Sequence, residues 1–337
     1  MPEQEIKERI KYKKMILAVL ALLVLLILML VSQYFYATKS KNKKEPEFNY
    51  TPTIVATTSE TALEISALSY LGAYVAEDGQ TIILAEKNSE DLLPMASITK
   101  LMTAIVAYKN YNMDDKITIG TKVNDWADSS KRFTPGTIFN LRELMRSLLI
   151  ESNNDSAMAL AGKVGADNFM AMMNNEAKNM GMITTHYDNP VGLDPSSKKE
   201  IINYSTAKEL LVLMKEIIKN YPQILETTSI PQQDIKTTSG GYNHTAISTD
   251  KFLSSEGERL LCQGEPLKIV GGKTGSTDLA KKNLILAMES PNKHGYLITI
   301  VLSANDNFLE TKNLVNWLCE SYNWPMPAEN ILQNGAF

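Results

Sequence analysis

The chain has 337 residues, 44% of them hydrophobic and 21% charged, with a formal net charge of −4; it can bury a large core as one big domain or two moderate ones. The slightly acidic balance gives no electrostatic reason to expect nucleic acid as a partner. Two cysteines without a C-x-x-C pair (Cys262, Cys319) argue against a disulfide scaffold or a cysteine-built zinc site, and three scattered histidines (His186, His244, His294) without an H-E-x-x-H argue against a metal. Neither metal nor cofactor is expected.

The first element is apolar throughout: Met15 to Val31, "MILAVLALLVLLILMLV". As a helix it spans roughly 26 Å, close to the hydrocarbon thickness of a bilayer. Lys7, Arg9, Lys11, Lys13 and Lys14 precede it, and Tyr34, Phe35 and Tyr36 follow at interfacial depth. A cleaved signal peptide needs a shorter apolar stretch and a small-x-small site, whereas "SQYFYATKS" offers Ala37 with bulky Phe35 two residues before it. The reading is therefore a cytoplasmic N-terminus at 1–14 and an uncleaved single-pass anchor at 15–36. Lys39, Lys41, Lys43 and Lys44 after the span leave little charge bias. Orientation rests on the usual arrangement of a single early span, with the bulk of the chain outside the cytoplasm. Residues 37–66, rich in Lys, Thr and Ser, read as a flexible linker. The globular part is expected at 67–325, with a C-terminal tail at 326–337.

"AYVAEDGQTIILAEK" carries two apolar runs around Asp78-Gly79, a hairpin signal. Helical periodicity follows from about Ser97 to Asn110. The middle, roughly 112–235, reads as a helical subdomain: "NLRELMRSLLI" puts Leu141, Leu144, Met145, Leu148 and Leu149 on one face, and "STAKELLVLMKEIIKNY" is amphipathic as well. The many methionines are read as core filler. After Gly271 the pattern turns to strands, "KTGST", "NLILAME" and "LITIVLSA". A closing helix, "LETKNLVNWLCESYNW", offers Leu314, Trp317, Leu318 and Tyr322 as its buried side. The expected fold class is α/β (α+β): one antiparallel sheet built from both ends of the chain, covered by helices, beside an all-helical subdomain.

In "PMASITKLMTAIVAYKN", Ser97 and Lys100 lie three apart at the head of a helix, so the amine can reach the hydroxyl. The spacing itself is cheap, since six S-x-x-K pairs occur in the chain. Context separates this one. Met95, Ala96, Leu101, Met102, Ile105 and Val106 set the turn against the core, where a lysine loses affinity for its proton and can serve as a base. A second cation is available in Lys273 of "GGKTGST", and Ser152 and Asn154 of "ESNNDSAMALA" sit in a short break between helices where both can face one cleft.

S-x-x-K with S-x-N and K-T-G, in this order, is a known signature of penicillin-recognising serine enzymes. From about Ala67 to Tyr322 the chain resembles the low-molecular-mass penicillin-binding proteins, the serine D-alanyl-D-alanine carboxypeptidases of the peptidase S11 type. "PMASITKLMTA", "LLIESNNDSAMALA", "FMAMMNNEAKNMGMITTHYDNPVGLD" and "GGKTGST" carry the likeness. It implies a β-lactamase/transpeptidase-like fold and a peptidoglycan stem peptide ending in D-Ala-D-Ala as substrate. It also implies β-lactam antibiotics as inhibitors. By the same resemblance Ser97 is the nucleophile, Lys100 its base and Ser152 a proton relay. Asn154, Lys273, Thr274, Gly275 and Ser276 bind substrate, with the N–H groups of Ser97 and Ser276 as the oxyanion hole.

The chain departs from the family after "KTGST", where Ala280 is followed by Lys281 and Lys282 rather than by glycine. Many members also carry a β-rich domain and a C-terminal amphipathic anchor after the closing helix; here the N-terminal span is expected to serve as the anchor. A class A β-lactamase would add a glutamate in an E-x-x-L-N segment, and none lies between Ser152 and Lys273. A membrane-tethered module without chemistry would have lost Ser97, Lys100 or Lys273. A D,D-endopeptidase uses the same residues, and the sequence leaves that alternative open.

Overall fold

The computed structural model describes residues 3–41, 49–55, 63–120, 133–194 and 202–326. The chain divides into two units, Met1–Asn49 and Tyr50–Phe337. The first is one helix, α1 (Glu3–Lys41), whose Lys11–Tyr34 stretch is long and apolar enough to cross a membrane. Its large apolar side chains between Met15 and Val31 are exposed.

The second unit opens with β1 (Thr53–Ile54), followed by the hairpin β2 (Ser69–Val75) and β3 (Thr81–Lys87). After β4 (Leu93–Pro94) and a single 3-10 turn at Ala96–Ile98 comes α2 (Thr99–Asn110). The middle holds β5 (Lys116–Thr118), β6 (Ile138–Asn140), α3 (Leu141–Ile150), α4 (Asn154–Gly162), α5 (Ala166–Asn179), β7 (Tyr204–Ser205), α6 (Ala207–Asn220), α7 (Pro222–Thr228), β8 (Gln232–Lys236) and β9 (Tyr242–Ile247). The chain then returns to sheet through β10 (Leu261–Cys262), β11 (Glu265–Pro266), β12 (Ile269–Thr277), β13 (Lys281–Glu289) and β14 (Tyr296–Ala304), and closes with α8 (Asn307–Ser321) and β15 (Tyr322–Asn323).

Five strands form the main sheet in the order β12-β13-β14-β2-β3, every neighbour antiparallel. The period of two along each strand divides its side chains between two cores. Ile298, Ile300 and Leu302 join Leu71, Ala73 and Ile285 on the face covered by α2, α3 and α6, whereas Leu297, Val301, Leu284 and Leu286 meet Leu314, Val315 and Leu318 of α8. Helix α2 is buried from Thr99 through Ala107, all the way round, which fits a central helix with no solvent face. Cys262 and Cys319 are bonded, tying β10 to α8.

Three expectations need adjustment. Within the expected linker at 37–66, α1 continues to Lys41 and the chain is docked again well before residue 67. Strand β1 pairs with β15, Tyr50 stacks on His294 at 3.5 Å, and Ile65 is buried. A two-residue strand and one buried isoleucine leave no periodic trace in a Lys/Thr-rich stretch. The middle is not all helix either, because β4–β7, β5–β6 and β8–β9 pair within or beside it. The closing helix starts earlier, at Asn307, capped by the Asp306 carboxylate on the N–H groups of Phe308 and Leu309; Trp317 and Tyr322 are half-buried, and Tyr322 lies beyond the helix. Whether Cys262 and Cys319 pair is a question the sequence leaves open, and the structure answers it with a disulfide. Residues 42–48 and 56–62 of the linker, the tail at 327–337 and the Ser196–Lys199 pair lie outside the described residues.

Candidate active site

A cavity of about 390 Å³ opens where α2, the α3–α4 break and β12 converge; Ser97, Ser152, Asn154, Thr274, Gly275 and Ser276 all line it. Each is carried by a local structure with a physical cause.

Ser97 sits in the 3-10 turn ahead of α2, directly after Ala96 at φ +49°. Left-handed backbone costs an L-residue roughly 1–2 kcal/mol, so the turn must be held from outside. Two glycines allow that. A Cβ on Gly275 would come 2.8 Å from Met95 O and 3.2 Å from Ser97 N, and one on Gly192 (φ +82°) would come 1.9 Å from Ala96 O. Strand β12 and the 189–193 loop therefore press onto the turn from two sides, closer than any side chain would permit.

One helical turn on, the Lys100 amine is wholly buried. It lies 2.8 Å from Ser97 Oγ, 2.7 Å from Asn154 Oδ1 and 2.8 Å from the carbonyl oxygen of Val191. That carbonyl is presented by an asparagine scaffold. Asn189 Oδ1 accepts from the N–H groups of Val191, Gly192 and Leu193, while Asn203 accepts from Asp188 and Asn189 N–H and donates to Thr99 Oγ1. Asp194, next in line, accepts from Thr277 Oγ1 and Leu279 N–H and so fixes the β12–β13 turn. The "NPVGLD" stretch was legible in the sequence as a likeness without a role.

Ser152 occupies the break between α3 and α4 at φ +63°. Asn153 caps α4 through Oδ1, which accepts from Ser156 N–H at 2.8 Å. Asn154 opens α4, and its side chain reaches both the cavity and Lys100.

Lys273 on β12 does not line the cavity. It is buried, and its amine donates to Thr274 O at 3.1 Å. Burial pushes its pKa down to about 7, partly countered by the carboxylate of Asp250. Asp250 in turn is pushed up to about 6 by its own burial, against the Phe252 N–H and Lys273. Thr274 Oγ1 donates to Thr249 Oγ1 at 2.6 Å, joining β12 to the segment after β9.

Sequence reasoning missed Val191 O, Asp250, Thr249, Glu151 and Lys251; the last three also line the cavity. Lys282, read as a departure from the family pattern, proves to be a lining residue as well. A larger hollow of about 760 Å³ lies between the β2–β3 turn and α6, away from all of these groups.

Residues 56–306 match the family model described as D-alanyl-D-alanine carboxypeptidase, peptidase S11. Among curated proteins, D-alanyl-D-alanine carboxypeptidase DacC of Escherichia coli is 29% identical over 253 residues, 70% of this chain and 57% of DacC, so the match spans little more than half of that relative. Among solved structures, a mutant of the Streptomyces K15 DD-transpeptidase is 26% identical with a TM-score of 0.63, covering 76% of this chain and 98% of that one. Penicillin-binding protein D2 of Listeria monocytogenes in its ampicillin-bound form is 28% identical with a TM-score of 0.59, covering 77% of this chain and all of that one (100%).

Proposed function

The chain belongs to the D-alanyl-D-alanine carboxypeptidase family, peptidase S11, and on that footing we propose that it is a membrane-anchored serine D,D-carboxypeptidase. It removes the terminal D-alanine from peptidoglycan stem peptides through an acyl-enzyme. The observation that carries this reading is the setting of the Lys100 amine among Ser97 Oγ, Asn154 Oδ1 and Val191 O. A neutral amine owns two N–H bonds and one lone pair. With Asn154 Oδ1 and the Val191 carbonyl as acceptors beside it, a neutral amine at this place can turn its lone pair to the Ser97 hydroxyl and take its proton.

In this mechanism Ser97 Oγ attacks the carbonyl carbon of the penultimate D-alanine while its proton passes to Lys100. The oxyanion is held by the N–H groups of Ser97 and Ser276, each such donor contributing about 3–4 kcal/mol. A proton relayed through Ser152 reaches the leaving nitrogen, the C–N bond breaks and D-alanine departs. Water then adds to the ester, and Ser97 recovers its proton. Thr274 holds the substrate's terminal carboxylate end, Lys273 supports the Ser152 relay electrostatically from behind the wall, and Lys251 and Lys282 add positive charge to the cavity wall. Penicillin is proposed to acylate the same serine, in line with the ampicillin-bound relative.

Residues 15–36 serve as the anchor and 1–14 stay cytoplasmic, with the enzyme on the other side. The Cys262–Cys319 bond supports that side, since disulfides form in oxidising compartments. The test is D-alanine release from a stem pentapeptide. It uses the full chain in detergent beside a soluble fragment starting at Asn49, ahead of β1, with Ser97→Ala as control. Release that disappears in the variant is expected. Cleavage of a cross-linked dimer without release of D-alanine would move the assignment to an endopeptidase.

A further inference from the structure

The break that carries Ser152 is held by a carboxylate–imidazole hydrogen bond that no part of the mechanism uses. Glu151, its neighbour, is the last residue of the α3 end and lines the cavity with a side chain only 6% exposed. Its Oε1 accepts from Ser147 Oγ at 2.5 Å and lies 2.6 Å from Nε2 of His244 on β9, ninety-three positions away. We propose that His244, acting through Glu151, is a positioning residue: it fixes the α3–α4 break and with it the place of the Ser152 hydroxyl in the cavity. The inference rests on the reading of Ser152 as proton relay.

The argument begins with strain. Ser152 is held at φ +63°, a conformation that persists where its surroundings over-determine it. From the α3 side, Asn153 N–H bonds Ser147 O at 3.2 Å. From the α4 side, Asn153 Oδ1 takes Ser156 N–H. Both of these are local contacts that would travel with the break if it moved as a body. Ties to the rest of the molecule come through Asn154 Oδ1 on Lys100 Nζ at 2.7 Å, through Glu151 and through Thr249 N–H on Ile150 O at 3.2 Å, and the last two partners belong to the β8–β9 hairpin and its exit.

His244 is itself braced. Its Nδ1 meets Asn243 Oδ1 at 2.7 Å, its ring packs against Phe133 with centroids 5.8 Å apart, and Phe133 lies on Phe139, two positions before the start of α3. The hairpin is pinned to the same helix at Lys236 N–H on Glu143 Oε2, 3.0 Å. Beyond β9 the chain reaches Thr249, which takes the Thr274 hydroxyl of β12. One hairpin thus joins the two cavity walls, the Ser152 break and the K-T-G strand, and His244 is the side chain that fastens it to the first.

A carboxylate beside a serine nucleophile could instead activate water. The geometry points the other way: Oε1 already serves two donors, and Oε2 is inaccessible to solvent. A buried carboxylate of this kind needs a partner more than it needs a substrate.

The test uses the full chain in detergent with two substrates of one acyl group: the stem peptide, whose leaving amine must gain a proton, and an acyl thiolester, whose thiolate leaves without one. His244→Ala is expected to lower kcat for D-alanine release about tenfold or more with KM within twofold, while thiolester turnover stays within threefold. His244→Gln, which can still donate an N–H to Glu151, is expected to keep at least a third of kcat on both. If the alanine variant does not fold by thermal melt, His244→Phe, which keeps a ring and loses the N–H toward Glu151, carries the test: unequal loss on the two substrates supports positioning, and equal loss on both overturns it. An unaffected His244→Ala overturns it too. A wild-type chain that neither releases D-alanine nor is labelled by a fluorescent penicillin would instead remove the carboxypeptidase reading, and this inference with it.

Discussion

The two serines of the site are held in opposite ways. The turn at Ser97 is fixed by backbone against backbone: Gly192 and Gly275 let a loop and a strand approach Ala96 and Ser97 more closely than a Cβ allows, and the Lys100 amine is held in part by a main-chain carbonyl. The break at Ser152 is fixed by side chains, with Asn153 as cap and Ser147, Glu151 and His244 in a hydrogen-bonded chain. Sterics therefore dictates residue identity on the first side, and several polar combinations could serve on the second. The Ser97 side is rigid by construction, and the Ser152 side can be altered without dismantling the core.

Substitutions separate the two. The largest effect is expected at Lys100→Met, which removes the base and leaves Asn154 Oδ1 and Val191 O without their donor. D-alanine release should fall roughly 10²–10⁴-fold, measured on the purified chain. Next comes Gly192→Ala, whose new methyl would collide with Ala96 O from a left-handed backbone. A loss of about 3–4 kcal/mol in denaturant midpoint analysis is expected, together with loss of penicillin labelling. A Gly192→Ala protein of normal stability and labelling would break the comparison outright.

Smaller effects belong to the other wall. Burial pushes the Lys273 pKa down to about 7, so its positive charge is expected to fade as pH rises through that value. If its charge steadies substrate, kcat/KM for penicillin acylation should lose a component as pH rises through about 7. Asp250→Asn removes the anion that favours that charge, so the same limb should move to lower pH; a limb that stays put would separate Asp250 from Lys273. The smallest effect is expected at Asn153→Ala, a lost helix cap costing about 1 kcal/mol, read as a shift in melting temperature with labelling retained.

The same contrast explains what the sequence disclosed. Ser97 and Lys100 were legible because the i, i+3 relation is local and the flanking residues are apolar; the hairpin at Gly79 and the three closing strands were legible from period and turn chemistry. The Val191 carbonyl was not, since a main-chain acceptor has no side-chain signature. Nor was the Glu151–His244 pair, because the partners are far apart in sequence and each reads as an ordinary polar residue in isolation. The hairpin strand "QQDIK" lacks the alternation that marks a strand, and its place was set by docking on α3 rather than by its own pattern. In the sequence His244 is one of three scattered histidines that argue against a metal, with no role of its own. It is satisfied, and the group that satisfies it lines the cavity.

The disulfide has a consequence for the life of the chain rather than for its catalysis. Cys262 and Cys319 enclose a stretch that contains β12, β13 and β14, so the bond staples the K-T-G strand and two of its sheet neighbours to α8. In a chain-entropy picture a loop of this size is worth about 4 kcal/mol. A copy still on the reducing side of the membrane would hold two thiols and lack that staple; a copy delivered across it would be locked. The bond thus works as a stamp of passage, and thiol alkylation with and without prior reduction would tell transit from arrival, molecule by molecule.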